Sequence, residues 1–414
     1  MIFNLICIIV IVLLGYHIFN KSKVIFICFL PFFIQYTWMA ASIVVIEQGA
    51  YINEQDKYGD FYFTNFYILL FFIVSLISFL FFYKIFEKAF NIGLPRVRFL
   101  KNKEIKIALF LAVSIVLVSL ISLFSGPSAY TSETVTKFNY WDKATYPWLK
   151  ALLGSTIGYL PFIFGVLYSK YKKTTIILIV LYLIYLVGVD QKFTAFMYGF
   201  IGFILSHVII RSKHVKIKDL LNFKKRYLAI VGSLIFSLVL LKYTNKNPYA
   251  YLNLTPVESV FYRAFGLQAH VFWGVNEKYV YNKAPNTWDL SELPYGMHVV
   301  MKDFTPSFRQ KYLERLWEGG VSWTNAYPAI LLRIFPVPIA LAFHFLLFSI
   351  VPLIYAMLVK MIRKENYLIA IILFQLTMWL TNIYSMAFFY RLTKVVVIFL
   401  FIAFLSKVYS YAKE

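Results

Sequence analysis

Residues 64–83 read TNFYILLFFIVSLISFLFFY, twenty consecutive positions without a charged side chain. A helix of about this length spans the hydrocarbon core of a bilayer. Similar apolar blocks recur along the chain, which is 61% hydrophobic and only 14% charged. Soluble domains are usually nearer half apolar and a quarter charged. The sequence therefore predicts an all-α, polytopic membrane protein.

Hydropathy predicts about eleven spans, within a range of ten to twelve, at 2–19, 24–46, 64–83, 105–124, 149–168, 174–189, 193–210, 227–243, 337–360, 367–389 and 392–408. They divide the chain into a bundle of about eight spans at 1–242, a large loop at 243–336 and three spans at 337–414. Ile2–Phe19 lacks a basic n-region and a small-residue cleavage site, so we interpret it as a retained first span. Cys7 and Cys28 fall within apolar spans, where neither a disulfide nor a zinc site is expected.

The basic residues orient these spans. Five connections and the C-terminus, all on one side, hold 24 of the 41 basic and 5 of the 19 acidic residues, a net charge of about +19. The opposite side holds 17 basic and 14 acidic residues, about +3. Lysine and arginine accumulate on the cytoplasmic side, so we expect a cytoplasmic C-terminus and the large loop outside. The positive charge is then a topology signal, and nucleic acid is not an expected partner.

Two helices are expected within the large loop. The first begins at Thr255-Pro256-Val257-Glu258, a capping-box sequence, and is predicted to run to about Trp273. One stripe of this helix would hold Arg263, Leu267, His270 and Gly274. The second, amphipathic helix is predicted between Thr305-Pro306 and Gly319-Gly320. The segment between the two helices is expected to be irregular.

Cationic residues near the outer face are the main chemical signal, since the sequence has no P-loop, HExxH, GxSxG or CxxC motif. Arginine binds phosphate through its planar fork, and a charge near membrane depth is costly unless it has a function or a partner. The residues concerned are Lys192, Arg263, Arg315, Arg333 and Arg391.

Each candidate also has a structural alternative. Lys192 can extend to the headgroups or pair with Asp190, and Arg333 and Arg391 can anchor the interface. Arg263 can be a solvated surface residue of its capped helix. Glu258 is expected to close its own helix cap. Three histidines have ordinary readings as well: His270 and His298 as loop residues, and His344 as a hydrogen-bond partner of a neighbouring span. The acidic first loop, Glu47–Phe63, can be a solvated loop or can position a sugar or a metal.

The layout resembles the Wzy family of O-antigen and related surface-polysaccharide polymerases. Four stretches carry the resemblance: the turn Gly188–Phe196 between two spans, the loop run Phe261–Gln268, the re-entering segment Ser322–Ile330, and Tyr390-Arg391. The predicted outside N-terminus departs from the family members with an even number of spans.

The resemblance implies an enzyme of the bacterial inner membrane that joins undecaprenyl-diphosphate-linked oligosaccharides at the periplasmic face, without a metal or another cofactor. Cations would stabilise the departing diphosphate and a base would take the proton of the acceptor hydroxyl. Implied diphosphate ligands are Lys192, Arg263, Arg315 and Arg391. His270 or His298 would be the base, and Gln268, Trp323 and Asn325 would bind substrate. Expected partners are the lipid-linked glycans, membrane lipids and a chain-length regulator.

Two other functions stay open at this point. A lipid-linked oligosaccharide flippase would be a transporter, which would normally lack so long a structured loop. A polyprenyl-phosphate-dependent glycosyltransferase would instead rely on first-loop carboxylates, Asp56 or Asp60.

The charge bias makes a prediction about topology. Reporter domains fused after Asn282 and after Lys413 should report opposite compartments, because the large loop is expected outside and the C-terminus inside. A paired phosphatase and fluorescent-protein reporter set measures this directly. The same compartment for both fusions would contradict the orientation.

Overall fold

The computed structural model describes residues 2–60, 62–89, 103–132, 134–135, 139–190, 193–212, 252–318, 323 and 325–411, with isolated positions 233, 237, 240, 243, 244 and 247. Side chains at 193–195, 198, 312, 315, 316, 318 and 405–411 lie outside this description. Lys192, the turn Gly319-Gly320 and most of the expected span 227–243 therefore also lie outside the described residues.

The described chain is almost entirely helical. Before the large loop, the helices are α1 Ile2–Lys21, α2 Lys23–Ile46, α3 Thr64–Ala89, α4 Glu104–Phe124, α5 Tyr140–Lys143, α6 Lys150–Leu153, α7 Thr156–Tyr168, α8 Lys172–Gly188 and α9 Phe193–Arg211. A two-stranded antiparallel hairpin, β1 Tyr51–Ile52 and β2 Lys57–Tyr58, follows α2. A 3₁₀ turn, Pro147–Leu149, precedes α6.

The remaining helices are α10 Pro256–Phe261, α11 His270–Val275, α12 Gly296–Phe304, α13 Gln310–Glu318, α14 Ala329–Ile334, α15 Val337–Phe348, α16 Ile350–Arg363, α17 Tyr367–Met386 and α18 Leu392–Tyr411. Two π-helical segments lie at Tyr262–Gly266 and Asn276–Tyr281. Three 3₁₀ turns lie at Leu290–Tyr295, Ser307–Arg309 and Phe389–Arg391.

Within the described residues, six helical stretches are long and apolar enough to cross a bilayer: α1, α2, α3, α4, the α15–α16 pair and α17. The stretch Pro147–Leu153 followed by α7, bent by 48°, makes a seventh if the pair is one span. Helices suit the bilayer because they satisfy their own backbone hydrogen bonds there. The chain is thus an all-α, multi-pass membrane protein. The finer count of eleven spans stays a prediction.

The large loop differs from expectation in two places. Its first helix begins as predicted, with a capping box between Thr255 and Glu258, but it is not continuous. The helix widens to a π turn and breaks at Leu267–Ala269, where the chain changes direction before α11. The predicted stripe from Arg263 to Gly274 is therefore wrong. The segment expected to be irregular contains α12, whose amphipathic pattern is too short to stand out in the sequence.

The chain forms two compact units. The first combines Met1–Phe81, Leu221–Ile350 and Leu380–Lys394. Aromatic side chains dominate its core, and Phe32 lies edge-on to Phe348 with ring centroids 4.9 Å apart. His344 of α15 is fully buried, where its imidazole hydrogen-bonds the hydroxyl of Ser75 on α3 (2.7 Å) and the hydroxyl of Tyr327. The prediction that His344 bonds to a neighbouring helix is confirmed.

The second unit combines Phe82–Leu220, Val351–Trp379 and Val395–Glu414. Small residues allow α7 and α9 to pack closely. A Cβ at Gly165 would lie 2.0 Å from the Ser206 hydroxyl and 2.4 Å from the Phe203 carbonyl oxygen. Such close approach at small residues is the usual way in which helices associate within a bilayer.

Candidate functional site

The first-loop hairpin packs against the large loop. The hydroxyl of Tyr262 donates to the carbonyl oxygen of Tyr51 (3.1 Å) and accepts from the amide of Asn53 (3.2 Å). Arg309 donates to the carbonyl oxygen of Asn53 (2.7 Å). These bonds fix the turn between β1 and β2 against the first unit's loop helices. First-loop side chains are thereby brought to residues more than two hundred positions away in the sequence.

Gln55, in this turn, reaches the backbone of α11. Its amide donates to the carbonyl oxygen of His270 (2.8 Å). Gly274 leaves room for this contact, since a Cβ there would lie 2.8 Å from the Gln55 amide and displace it. The neighbouring Glu54 lies close enough to His270 for its negative charge to act on the pKa of that imidazole.

His270 holds its two ring nitrogens in different environments. Nδ1 lies 2.8 Å from the carbonyl oxygen of Leu267. Since a carbonyl only accepts, Nδ1 carries the proton, and Nε2 of the neutral ring presents a lone pair. His270 is only 1% exposed, and Nε2 has no hydrogen-bond partner among the described residues. Oε2 of Glu54 is likewise buried without a donor there. Most buried polar atoms have a hydrogen-bond partner, so an unpaired one needs an explanation.

Electrostatics favour a neutral His270. Burial lowers the pKa of His270 below its ordinary value, and the positive charge of Arg263 lowers it further, while the negative charge of Glu54 and the bond to Leu267 act in the opposite direction. The net shift is downward. His270 is therefore uncharged near neutral pH and can accept a hydrogen bond at Nε2, with a carboxylate and a guanidinium both close enough to influence it.

Other predicted site residues join this group. The ring of Trp323 packs edge-on to the imidazole of His270 (4.9 Å between centroids). Asn325 donates to the carbonyl oxygen of Gln268 (2.8 Å) and accepts from the hydroxyl of Ser385 (3.1 Å). Gln268 donates to the carbonyl oxygen of Arg263 (2.9 Å).

These residues form one group around His270. We call Glu54, Gln55, Arg263, His270 and Trp323 the His270 cluster. The hydrogen bonds of Gln268 and Asn325 link the backbone segments that carry it.

A second group surrounds His298 on α12. Its ring stacks on Trp317 (4.7 Å) and meets Phe388 edge-on (5.3 Å). The guanidinium of Arg391 lies 5.2 Å from the ring centroids of both Phe388 and Tyr390 and donates to the Tyr390 hydroxyl (2.9 Å). Burial lowers the pKa of His298. We call His298, Trp317, Phe388, Tyr390 and Arg391 the His298 cluster.

Arg391 differs from a structural arginine. It is exposed, and within the described part of the chain its guanidinium contacts aromatic rings rather than carboxylates. A cation held over aromatic faces keeps its charge available to an anion. Arg315 lies on α13, but its side chain is outside the described residues, as is Lys192.

Among the predicted cationic residues, Arg333 has a structural role. Its guanidinium binds Glu292 through two hydrogen bonds (2.8 and 3.1 Å) and Asp303 through a third (2.5 Å). The hydroxyl of Tyr279 also donates to Asp303 (2.8 Å), and so does the ammonium of Lys278 (2.6 Å). Burial alone would raise the pKa of Asp303, but these partners lower it overall. The network joins α12 to α14. Because Nε, Nη1 and Nη2 of Arg333 all donate within it, the guanidinium is not available to bind a substrate.

The first-loop acids have distinct environments. Asp56, in a left-handed conformation (φ 55°), accepts from the Tyr51 hydroxyl and lies 3.8 Å from Arg309. Asp60 is exposed. Glu54, which the sequence did not distinguish from the other acids of this loop, is the one whose charge acts on His270. Only the fold brings it there, and no spacing in the sequence indicates it. Among the described residues, no three His, Cys, Asp or Glu side chains converge as metal ligands would.

Comparison with known proteins gives one partial match. Residues 290–402 match a family of unknown function (DUF6418). This range contains the His298 cluster, Trp323 and three members of the Arg333 network (Glu292, Asp303 and Arg333), but neither His270 nor the first loop. No curated protein and no solved structure matches the chain.

The Arg333 network makes a prediction about stability. Arg333→Met should lower the free energy of unfolding by up to about 3–5 kcal/mol, since it removes two hydrogen bonds from Glu292 and one from Asp303, whose side chains are only 15% exposed. Thermal unfolding of the purified protein measures this. Arg363→Met is the control, because its ion pair with Glu87 is exposed (45% and 50%) and should contribute less than about 1 kcal/mol. Equal melting temperatures for the two variants would contradict the structural role.

Proposed function

We propose that the protein is a lipid-linked oligosaccharide polymerase: a metal-independent glycosyltransferase that joins undecaprenyl-diphosphate-linked repeat units at the periplasmic face of the bacterial inner membrane. One observation carries the proposal. Two buried acceptor atoms, Nε2 of His270 and Oε2 of Glu54, have no donor among the described residues. Such a pair can accept the proton of an incoming hydroxyl group.

His270 is the general base in this proposal. The acceptor sugar's hydroxyl gives its proton to Nε2, and its oxygen attacks the anomeric carbon of the donor glycan. The bond from that carbon to the diphosphate oxygen breaks, and the electron pair leaves with undecaprenyl diphosphate. Glu54 stabilises the imidazolium that forms, as a carboxylate beside a catalytic histidine does. The glycan grows by one linkage and no co-reactant is needed.

Cations stabilise the leaving group. Arg263 lies close enough to His270 to lower its pKa, and we assign it to the diphosphate on this ground. Arg391 keeps its guanidinium available on an aromatic surface, which suits a phosphate oxygen. Lys192 and Arg315 stay proposed ligands on the family resemblance alone. A chain-length regulator stays a proposed partner on the same basis.

Aromatic rings near both clusters suit the sugars. Trp323 packs on His270, and Trp317 stacks on His298. Aromatic faces pack against the apolar faces of sugar rings while leaving the hydroxyls solvated. Because His270 is buried, a sugar hydroxyl reaches Nε2 only when a neighbour moves. Trp323 is that neighbour in our proposal.

Glycan length in living cells tests the assignment. His270→Gln should reduce chain growth by on the order of 100-fold or more, the usual contribution of a general base.

The exposed arginine makes a second prediction. Arg391→Ala should reduce chain growth by a similar factor, the usual effect of losing one charge-stabilising donor. Arg391→Lys should stay impaired, because it loses the planar fork. Asp56→Asn is the matched control and should retain long chains. Each variant is compared at equal abundance.

Other outcomes identify the alternatives. Long chains that persist in His270→Gln and Arg391→Ala but vanish in Asp56→Asn would indicate the transferase that uses first-loop acids. Deletion of the protein should leave surface glycans with at most one repeat unit. Complete absence of repeat units from the surface would instead indicate a flippase.

The depressed pKa of His270 predicts the pH dependence. The neutral form acts as base, so activity is present above the lowered pKa and is lost as the pH falls through it. The kcat/KM of the reconstituted protein should therefore stay constant from about pH 8 to about pH 6.5, the ordinary histidine pKa, and decline only below it. His298→Gln should keep this acidic decline. A midpoint above the ordinary value, or a decline that disappears in His298→Gln, would contradict His270 as the base.

A further inference from the structure

A cleft of about 550 Å³ lies in the first unit, between the beginning of α1 and the end of α2. Its lining residues are Ile2, Phe3, Asn4, Glu47, Tyr62 and Phe63. The lining is mainly apolar, with two polar side chains. None of these residues belongs to the His270 or the His298 cluster.

Glu47 is the charged residue of the cleft. It is 3% exposed, and its carboxylate accepts from the amide of Asn4 (2.6 Å) and from the backbone N–H of Thr64 (2.9 Å). The second bond places the carboxylate at the N-terminus of α3, where a negative charge is favoured. Both donors are neutral, and the described residues contribute no cation to this carboxylate. A buried charge of this kind is costly unless a counter-charge reaches it.

Asn4 provides a second acceptor next to Glu47. It is 4% exposed, and its Oδ1 has no hydrogen-bond partner among the described residues although its Nδ2 is bonded to Glu47. A buried carbonyl oxygen without a donor costs free energy. Asn4 and Glu47 both line the cleft, and each carries a buried oxygen acceptor. A ligand with several N–H donors and a positive charge would match both.

The walls of the cleft suit a hydrocarbon chain. Phe63 and Tyr62 are more than half exposed, and Phe3 packs edge-on to Phe63 (5.3 Å between centroids). These rings lie at helix ends, where aromatic residues commonly meet the lipid headgroups. Apolar walls with a carboxylate at one end match a lipid with a cationic, hydrogen-bond-donating head.

We propose that this cleft binds a phospholipid whose headgroup ends in a primary ammonium. The ammonium donates to the Glu47 carboxylate and to Oδ1 of Asn4, and an acyl chain packs along Phe3 and Phe63. An anionic headgroup would be repelled by Glu47. A quaternary ammonium carries the same charge but has no N–H to offer Asn4. The site is separate from the glycosyl-transfer chemistry and does not depend on it.

Lipid binding to the purified, delipidated full-length protein tests the proposal by native mass spectrometry. Phosphatidylethanolamine is compared with phosphatidylcholine of the same acyl chains, and with phosphatidylglycerol. We expect phosphatidylethanolamine to bind about tenfold more tightly than either, the factor that one charge-assisted hydrogen bond provides. Glu47→Gln and Asn4→Leu should each remove most of this preference. Asp60→Asn, an exposed acid of the same loop that does not line the cleft, should leave it unchanged.

The variants also distinguish binding from folding. Glu47→Gln keeps a carbonyl oxygen for the N–H of Thr64, so α3 retains its cap. If one variant fails to fold, the other decides, since each removes a different acceptor. Equal binding of phosphatidylethanolamine and phosphatidylcholine, or a preference that survives in a folded variant, overturns the proposal. Loss of the preference with normal glycan growth would leave the proposed polymerase intact.

Discussion

A buried polar group without a partner is costly, and most of the polar groups buried in this structure are paired. Helices pair the polar groups of the backbone. Side chains pair with one another: His344 with Ser75 and Tyr327, and Arg333 with Glu292 and Asp303. Buried atoms without a partner are consequently informative. Nε2 of His270 and Oε2 of Glu54 are two such atoms. The ring of Trp323 packs on His270, and the charges of Glu54 and Arg263 both act on the pKa of its imidazole.

The docking of the first-loop hairpin makes this pair possible. Tyr262 holds the hairpin through two hydrogen bonds, and its own π turn precedes the break that redirects the chain into α11. π turns often accompany functional sites, because the extra residue re-aims side chains. Here the irregular stretch from Tyr262 to Ala269 presents Arg263 and His270 to the same neighbourhood. A continuous helix would not combine these positions with the Gln55 contact.

Elements with strong periodic or compositional signals are predictable from the sequence. The apolar block at 64–83 indicated a membrane span, and Thr255 and Glu258 indicated a capped helix start; both are seen. The break at Leu267–Ala269 has no glycine or proline to announce it, so the first loop helix was predicted too long. The proximity of Glu54 to His270 depends on tertiary contacts that no local pattern encodes. Arg333 and Arg391 look alike in sequence, and only the positions of nearby carboxylates distinguish the buried structural arginine from the exposed one.

The most direct test of the proposed polymerase uses the purified protein in lipid vesicles with one synthetic substrate, a repeat unit linked to undecaprenyl diphosphate. The proposal predicts a ladder of longer lipid-linked glycans, with one undecaprenyl diphosphate released for each new linkage and no requirement for added metal. Mass spectrometry of the lipid extract measures both products from the same reaction. Folded protein that leaves the repeat unit unextended and releases no undecaprenyl diphosphate would contradict the assignment.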